Sequence, residues 1–481
     1  MSQDLLPFCL GDYAYDFTDP TVLRKVPPGV NVDNDVLQMG TEYYINDETI
    51  ADSFGRKLGP LLSDWIDIAL ACYLADRLSR RPQPHGSSLE QWSRVLNLKI
   101  SVRRLNVWKQ PSVQRRLVSL LNLLSDDDWR IQFVRRKTPG RLAEKQGHLF
   151  RTRFSKPPVV ALFSGGLDSF CGAVQQVSDL SNHSFVFVSG VTNSRQKFAQ
   201  REQVKAISRH MARELCHVIV PFGFNWNGLS MERSRETSQR TRGFLFLTLG
   251  AVTALAAGSN EIRIFENGIG AINLPYDSSQ IGTANSRGVH PITLLRMADF
   301  VKALTGKSIS FNNPFLFKTK GEMCRHVAVQ ALASNIPRTF SCDGFPVRHR
   351  NKPQCGSCTS CLIRRLSLEN AGLSEFDPSD QYILDLLVSG GTAATSKQLR
   401  PLQAMEWQFQ KLSRLLGQGS KWNRLVTEFP ELQHIVSEIS VHDEIVETKL
   451  QQSILGLYRR YVAEWANFSA RNSLRLKKRA A

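Results

Sequence analysis

The six residues Ser164-Gly165-Gly166-Leu167-Asp168-Ser169 hold two hydroxyls, two glycines and a carboxylate. The apolar run Val159 to Phe163 before them predicts a buried strand, and Phe170, Ala173, Val174 and Val177 after them recur at helical spacing. A strand that turns through glycine into a helix N-terminus makes an anion site. The backbone can approach a phosphate closely there, and the free N–H groups point at it. A carboxylate beside phosphates repels them unless Mg²⁺ sits between. Ser164, Gly165, Gly166, Asp168 and Ser169 therefore read as a cradle for the diphosphate of ATP with its Mg²⁺. No Walker A pattern occurs in the chain, so the loop is of another kind. The second triplet, Ser389-Gly390-Gly391, lacks the following Asp-Ser and reads as a plain loop.

A second chemical group is Cys342, Cys355, Cys358 and Cys361. Thiolates two residues apart on a tight turn can reach one ion, and a fourth from the preceding loop closes a tetrahedron. Four sulfurs leave no open position, so a Zn²⁺ here is structural; an iron–sulfur cluster is the rival. The other cysteines (Cys9, Cys72, Cys171, Cys216, Cys324) are scattered and read as small hydrophobes.

These groups need a scaffold. From Val159 the apolar runs alternate with helical segments. Strands are expected at 185–188, 217–220, 262–265 and 309–311, and helices at 196–214, 240–257, 291–304 and 320–333. That alternation predicts a parallel sheet covered on both faces, with ligands at the C-terminal strand ends. Those ends carry Thr192, Asn193, Arg195 and Gln196; Asn225, Trp226 and Asn227; and Glu266 and Asn267. Arg242 opens an apolar helix, and a polar stretch from Gly268 through Asn273, Asp277, Ser278 and Arg287 to His290 is a candidate substrate loop.

The flanks read differently. Residues 1–45 are expected to be irregular, followed by an amphipathic helix through Leu62 to Leu74 and a half-buried strand over 96–102. A helix through Val113 to Leu124 and a strand with Trp129, Ile131 and Phe133 complete a small α+β unit, with 137–157 as linker. Beyond Asp377-Pro378 the chain reads as helical. A stripe of Ile454, Leu457, Tyr458, Tyr461, Val462 and Trp465 packs it on its own unit or serves as a docking or dimer helix, and a basic tail closes the chain. The 481 residues thus divide into 1–150, 155–375 and 378–481. A net charge of +18 favours anionic partners, with nucleic acid left open. An acidic, polar start, the lack of a run long enough to span a bilayer and the clustered cysteines point to a reducing cytoplasm and no membrane.

The S-G-G-x-D-S string resembles the PP-loop ATP pyrophosphatases. With the cysteines it is similar to the 7-cyano-7-deazaguanine synthase (QueC) family. Thr319-Lys320-Gly321-Glu322-Met323 looks like that family's T-K-x-E-I stretch, and Cys355 to Arg364 looks like its C-G-x-C-x-S-C-x-x-R run. The likeness spans about 155–375. The family's Tyr-Gly-Gln-Arg-His and Tyr-Pro-Asp-Cys-Arg stretches are absent; Asn193 to Lys197 and Thr283 to Arg287 stand in their places.

The resemblance implies an α/β PP-loop fold (adenine nucleotide alpha hydrolase-like) with a zinc-binding loop. It implies catalytic roles for Asp168, Lys320 and Arg242, with Glu266, Asn267 and Arg287 joining the loop in holding ligand. ATP, Mg²⁺ and Zn²⁺ are the implied cofactors. The implied activity is ATP-dependent carbon–nitrogen ligation on a 7-deazaguanine-type carboxylate. The added length resembles enlarged members from anti-phage defence operons, which implies a partner protein as acceptor or a homodimer. A PP-loop tRNA-modifying enzyme and a non-catalytic nucleotide-binding component are the alternatives.

Overall fold

The computed structural model describes residues 12–26, 36–81, 93–136, 142–145, 154–225, 236–276, 287–344, 352–386, 394–417 and 421–472. Cys9, Trp226, Asn227, Asp277, Ser278, the 283–286 stretch, the second Ser-Gly-Gly triplet and the basic tail lie outside them. Among the described residues no helix is long and apolar enough to cross a membrane.

The core strands are β7 (Val159–Leu162), β8 (Phe185–Val191), β9 (Cys216–Phe224), β10 (Glu261–Arg263) and β11 (Ser310–Asn312). They pair in parallel in the order β11-β10-β7-β8-β9. The chain order reverses between β7 and β10, and a crevice opens at such a switch point above the strand ends. One face carries α6 (Leu167–Asp179), α11 (Lys320–Val329) and α12 (Thr359–Asn370); the other carries α8 (Arg242–Ala257) and α10 (Pro291–Thr305). The short α9 (Gly268–Ile272) follows β10, and α7 (Ser194–His210) links β8 to β9.

The described residues among the first 45 are not irregular. They form β1 (Asp12–Asp19), β2 (Val22–Lys25), β3 (Val36–Gln38) and β4 (Tyr43–Ile45). β1 to β3 join β5 (Val95–Val102) and β6 (Asp128–Arg135) in a second sheet, while β4 adds antiparallel to β9 at the edge of the core sheet. β2, β3 and β4 are three or four residues long, too short to show the alternation that reveals a strand, and the Asp, Pro and Asn around them read as loop. The other N-terminal elements are α1 (Glu48–Phe54), α2 (Pro60–Leu78), α3 (Leu105–Trp108), α4 (Pro111–Ser125) and α5 (Leu142–Lys145). The last falls in the expected linker, with Ala143 buried.

α2 is not amphipathic in place. It is buried nearly all round, and its polar positions Asp64, Asp67 and Asp76 pair with Arg103, Arg136 and Arg94. A carboxylate leaves water only when such partners satisfy it. One apolar cluster runs from Tyr15 and Trp65 through Phe244 to Phe311, so the N-terminal elements and the core sheet share an interior. The C-terminal helices are α13 (Ser396–Gly417), α14 (Lys421–Glu428), α15 (Glu431–Asp443) and α16 (Glu447–Asn472). The α16 stripe is buried except for half-buried Val462. It packs on Ile269 and Ile272 of α9 as well as on its own neighbours.

Candidate active site and metal centre

β7 ends at the switch point, and the loop turns into α6 as the residue types require. Gly165 takes φ 80°, and a side chain there would meet Gln200 and Phe340. The hydroxyls of Ser164 and Ser169 lie 2.7 Å apart, and the Gly166 N–H donates to Ser164 Oγ at 3.2 Å. Two glutamines of α7 hold the turn from behind. Gln200 donates to the Ser164 carbonyl at 2.8 Å and Gln203 to the Gly165 carbonyl at 3.0 Å. Sequence reasoning missed both; their only trace is an i, i+3 pair on a charged helix.

Asp168 in the first turn of α6 meets Lys320, the first residue of α11, at 2.8 Å. Thr319 caps α11 in a capping box with Glu322, which fixes the point where Lys320 leaves the backbone. Asn267 donates to Asp168 Oδ1 at 2.9 Å and to Glu266 Oε1 at 2.8 Å, while its own Oδ1 caps α9. Burial, then the Asp168 charge, pushes the Glu266 carboxyl up to about 8. Burial pulls Lys320 down, but Asp168 and Glu266 outweigh it and hold the ammonium charged. Asp168 and Glu266 are the carboxylates here that could hold a Mg²⁺ ion, which favours clustered anionic oxygens.

Beside the loop lies a cavity of about 350 Å³. Ser164, Ser169, Arg242 and Glu266 line one side; Phe163, Val188, Phe246 and Val289 supply apolar wall. Arg242 is the first residue of α8, and its guanidinium donates to Gln239 at 3.2 Å. The structure thus brings Ser164, Gly165, Gly166, Asp168, Ser169, Arg242, Glu266, Asn267 and Lys320 to one crevice. Arg287 does not join them. Its guanidinium is held by the Leu123 carbonyl at 3.0 Å and by Asp126 at 2.7 Å, because the N-terminal elements offer it a carboxylate.

The sulfurs of Cys342, Cys355, Cys358 and Cys361 all lie within 4.8 Å of one another. Thiolates around one tetrahedral Zn²⁺ stand about 3.8 Å apart, so this set fits a single ion. The Cys358 N–H points at Cys355 Sγ, 3.4 Å away. Gly356 at φ 84° is required, since a side chain would run into the Leu384 carbonyl. The lobe touches the Ser164–Ser169 loop directly: Phe340 forms a parallel bridge with Gly166. Buried Arg364 anchors that segment, donating to Thr339 Oγ1 at 2.7 Å and pairing with Asp377 at 2.9 Å.

Glu464 of α16 touches the cap of α11 from the side away from the cavity beside the loop. It is 5% exposed and accepts from Thr319 Oγ1 at 2.6 Å. Burial raises its carboxyl to about 7.

No protein-family model matches the chain. It is 26% identical over 234 residues to the 7-cyano-7-deazaguanine synthase of Novosphingobium aromaticivorans, covering 46% of this chain and 93% of that protein. The match supports the likeness to that family drawn from the loop and the cysteines. Nearly all of the relative is accounted for, while more than half of this chain lies outside the alignment.

Proposed function

We propose that the chain is an ATP-dependent carbon–nitrogen ligase acting on 7-carboxy-7-deazaguanine or a close analogue. The observation that carries the reading is the Lys320–Asp168 pair, set at two helix N-termini against the Ser164–Ser169 loop and flanked by Glu266. The loop amides and hydroxyls bind the β- and γ-phosphates, and the cavity beside them takes the nucleoside. The substrate carboxylate oxygen attacks the α-phosphorus, the bond to the bridging oxygen breaks, and diphosphate leaves. Lys320 and Arg242 stabilise the negative charge that grows on the phosphates. Mg²⁺, held by Asp168 and Glu266, would supply further charge neutralisation to the leaving diphosphate.

An amine then attacks the acyl carbon, AMP leaves, and the amine's extra proton goes to solvent. The product is an amide. With ammonia as the amine, the amide oxygen can attack the α-phosphorus of a second ATP, displacing diphosphate, and loss of AMP with both N–H protons to solvent yields the nitrile. With an amine on a partner protein, the reaction stops at the amide. The enlarged chain favours this outcome, as a defence component of the cytoplasm. Zn²⁺ on the four cysteines would hold the wall beside the loop.

Diphosphate release by the purified chain tests the reading. It is expected to need 7-carboxy-7-deazaguanine and to be indifferent to tRNA. A strict tRNA requirement overturns it in favour of a tRNA-modifying PP-loop enzyme. Product mass distinguishes amide, nitrile and protein adduct.

A further inference from the structure

We propose that Asp126 and Asp76 are positioning residues for the nucleotide cavity. Acting through Arg240, Arg287 and Thr241, they clamp the outer wall of that cavity. The proposal rests on the reading of that cavity as the nucleotide site.

Two segments make the wall. Ser238 and Gln239 lead into α8 and Arg242 and Gly243 open it, while Gly288 and Val289 precede α10. They touch glycine to glycine: a Cβ on Gly243 would stand 2.7 Å from the Gly288 Cα. Both segments are tied to the N-terminal elements. Asp126, at the C-terminus of α4, takes Arg240 with one carboxylate oxygen and Arg287 with the other, each at 2.7 Å. Asp76 of α2 accepts from the Thr241 N–H and hydroxyl, both at 3.0 Å.

Behind Asp76 stands a dry network. Arg94 bridges Asp76 and Asp127 at 2.6 Å, with all three side chains 0% exposed. Arg81 doubles the Asp127 contact at 2.8 Å, and its N–H holds Glu236 at 2.9 Å, where the first wall segment begins. Buried charges paired in this way form a rigid support, because moving any one strands another. Asp76 and Asp126 lie outside the 155–375 span of the motif likeness, so this support is an addition of the longer chain.

The test uses the full chain with MgATP. Asp126 sits at φ 56°, a conformation Asn tolerates, so Asp126→Asn removes the charge and keeps the turn. Thr241→Val removes the hydroxyl half of the Asp76 clamp. MgATP affinity measured by calorimetry is expected to fall at least about fivefold in Asp126→Asn. The double variant Asp126→Asn/Arg287→Gln is expected to lose much less than the two single losses added, as two ends of one bond should. Without nucleotide, amides of 236–243 and 287–294 are expected to exchange faster with solvent in both single-position variants, Asp126→Asn and Thr241→Val. Unchanged exchange in both segments overturns the proposal, whether or not MgATP binds. Faster exchange with unchanged MgATP affinity overturns the link to the cavity. A wild-type chain that fails to bind MgATP sinks the nucleotide reading instead, and the exchange result still decides whether the clamps hold the wall.

Discussion

Asp168 faces an ammonium and an amide in a site that excludes most water, so the residue scale is where the chemistry can be broken cleanly. Asp168→Asn keeps the shape and removes the charge. Diphosphate release in a coupled assay is expected to fall at least about a hundredfold, with the melting temperature little changed. Lys320→Ala is different, because Asp168 and Glu266 then face each other with no cation between them. Breaking a buried pair in this way costs about 3–5 kcal/mol. Both turnover and melting temperature are expected to fall, and the thermal loss should exceed that of Asp168→Asn. A Lys320→Ala protein that melts like wild type would remove the pair from the account. These residues were legible because glycine, serine and aspartate at fixed offsets have few other uses. Arg287 was misplaced for the opposite reason: an arginine in a polar stretch says nothing about which carboxylate will take it.

At the scale of elements, the cysteine lobe and the helix caps hold the crevice in shape. The cysteine lobe presses Phe340 on Gly166. Removing zinc with a chelator, or Cys358→Ser, is therefore expected to lower the melting temperature and also to weaken MgATP binding, which a remote structural site would leave alone. Differential scanning fluorimetry with and without MgATP reads both. His290 caps α10, accepting from the Ile292 N–H through Nδ1 at 3.3 Å. Burial, then the charge of Arg287, holds its ring down at about 4, below its ordinary value of 6.5. The neutral ring is the folded form. Its stabilising contribution is full above about 6.5 and is lost as pH falls through about 4. His290→Asn keeps a capping acceptor that does not titrate, so its acid unfolding midpoint should shift lower. The core strands and their helices were legible because period and length agree over each of them. The β1–β4 strands were missed: Tyr13, Tyr15 and Phe17 of β1 do alternate, but β2 to β4 are three or four residues long, and the partners β5 and β9 lie far along the chain. Helix α2 read as amphipathic because pattern alone cannot see that Arg94, Arg103 and Arg136 arrive to bury its aspartates.

The molecule as a whole is knit more tightly than the three-part reading suggests. One interior runs beneath both sheets, and β4 extends the core sheet itself. We expect a single cooperative transition in calorimetry for the described N-terminal and core elements, rather than one for each. A fragment of residues 154–386 should expose the α8 and α10 faces that α2 and α4 cover, and should aggregate or bind a hydrophobic dye. Well-separated transitions, or a stable monomeric fragment, would contradict this. Glu464 gives the far end of the chain its own reach. A carboxyl seated on the Thr319 hydroxyl, one residue from Lys320, makes the last helix a handle on the Lys320 ammonium. Whatever grips or peels that helix is expected to tug the ammonium with it, so a tag, a nick or a docked neighbour on α16 would be felt at Asp168.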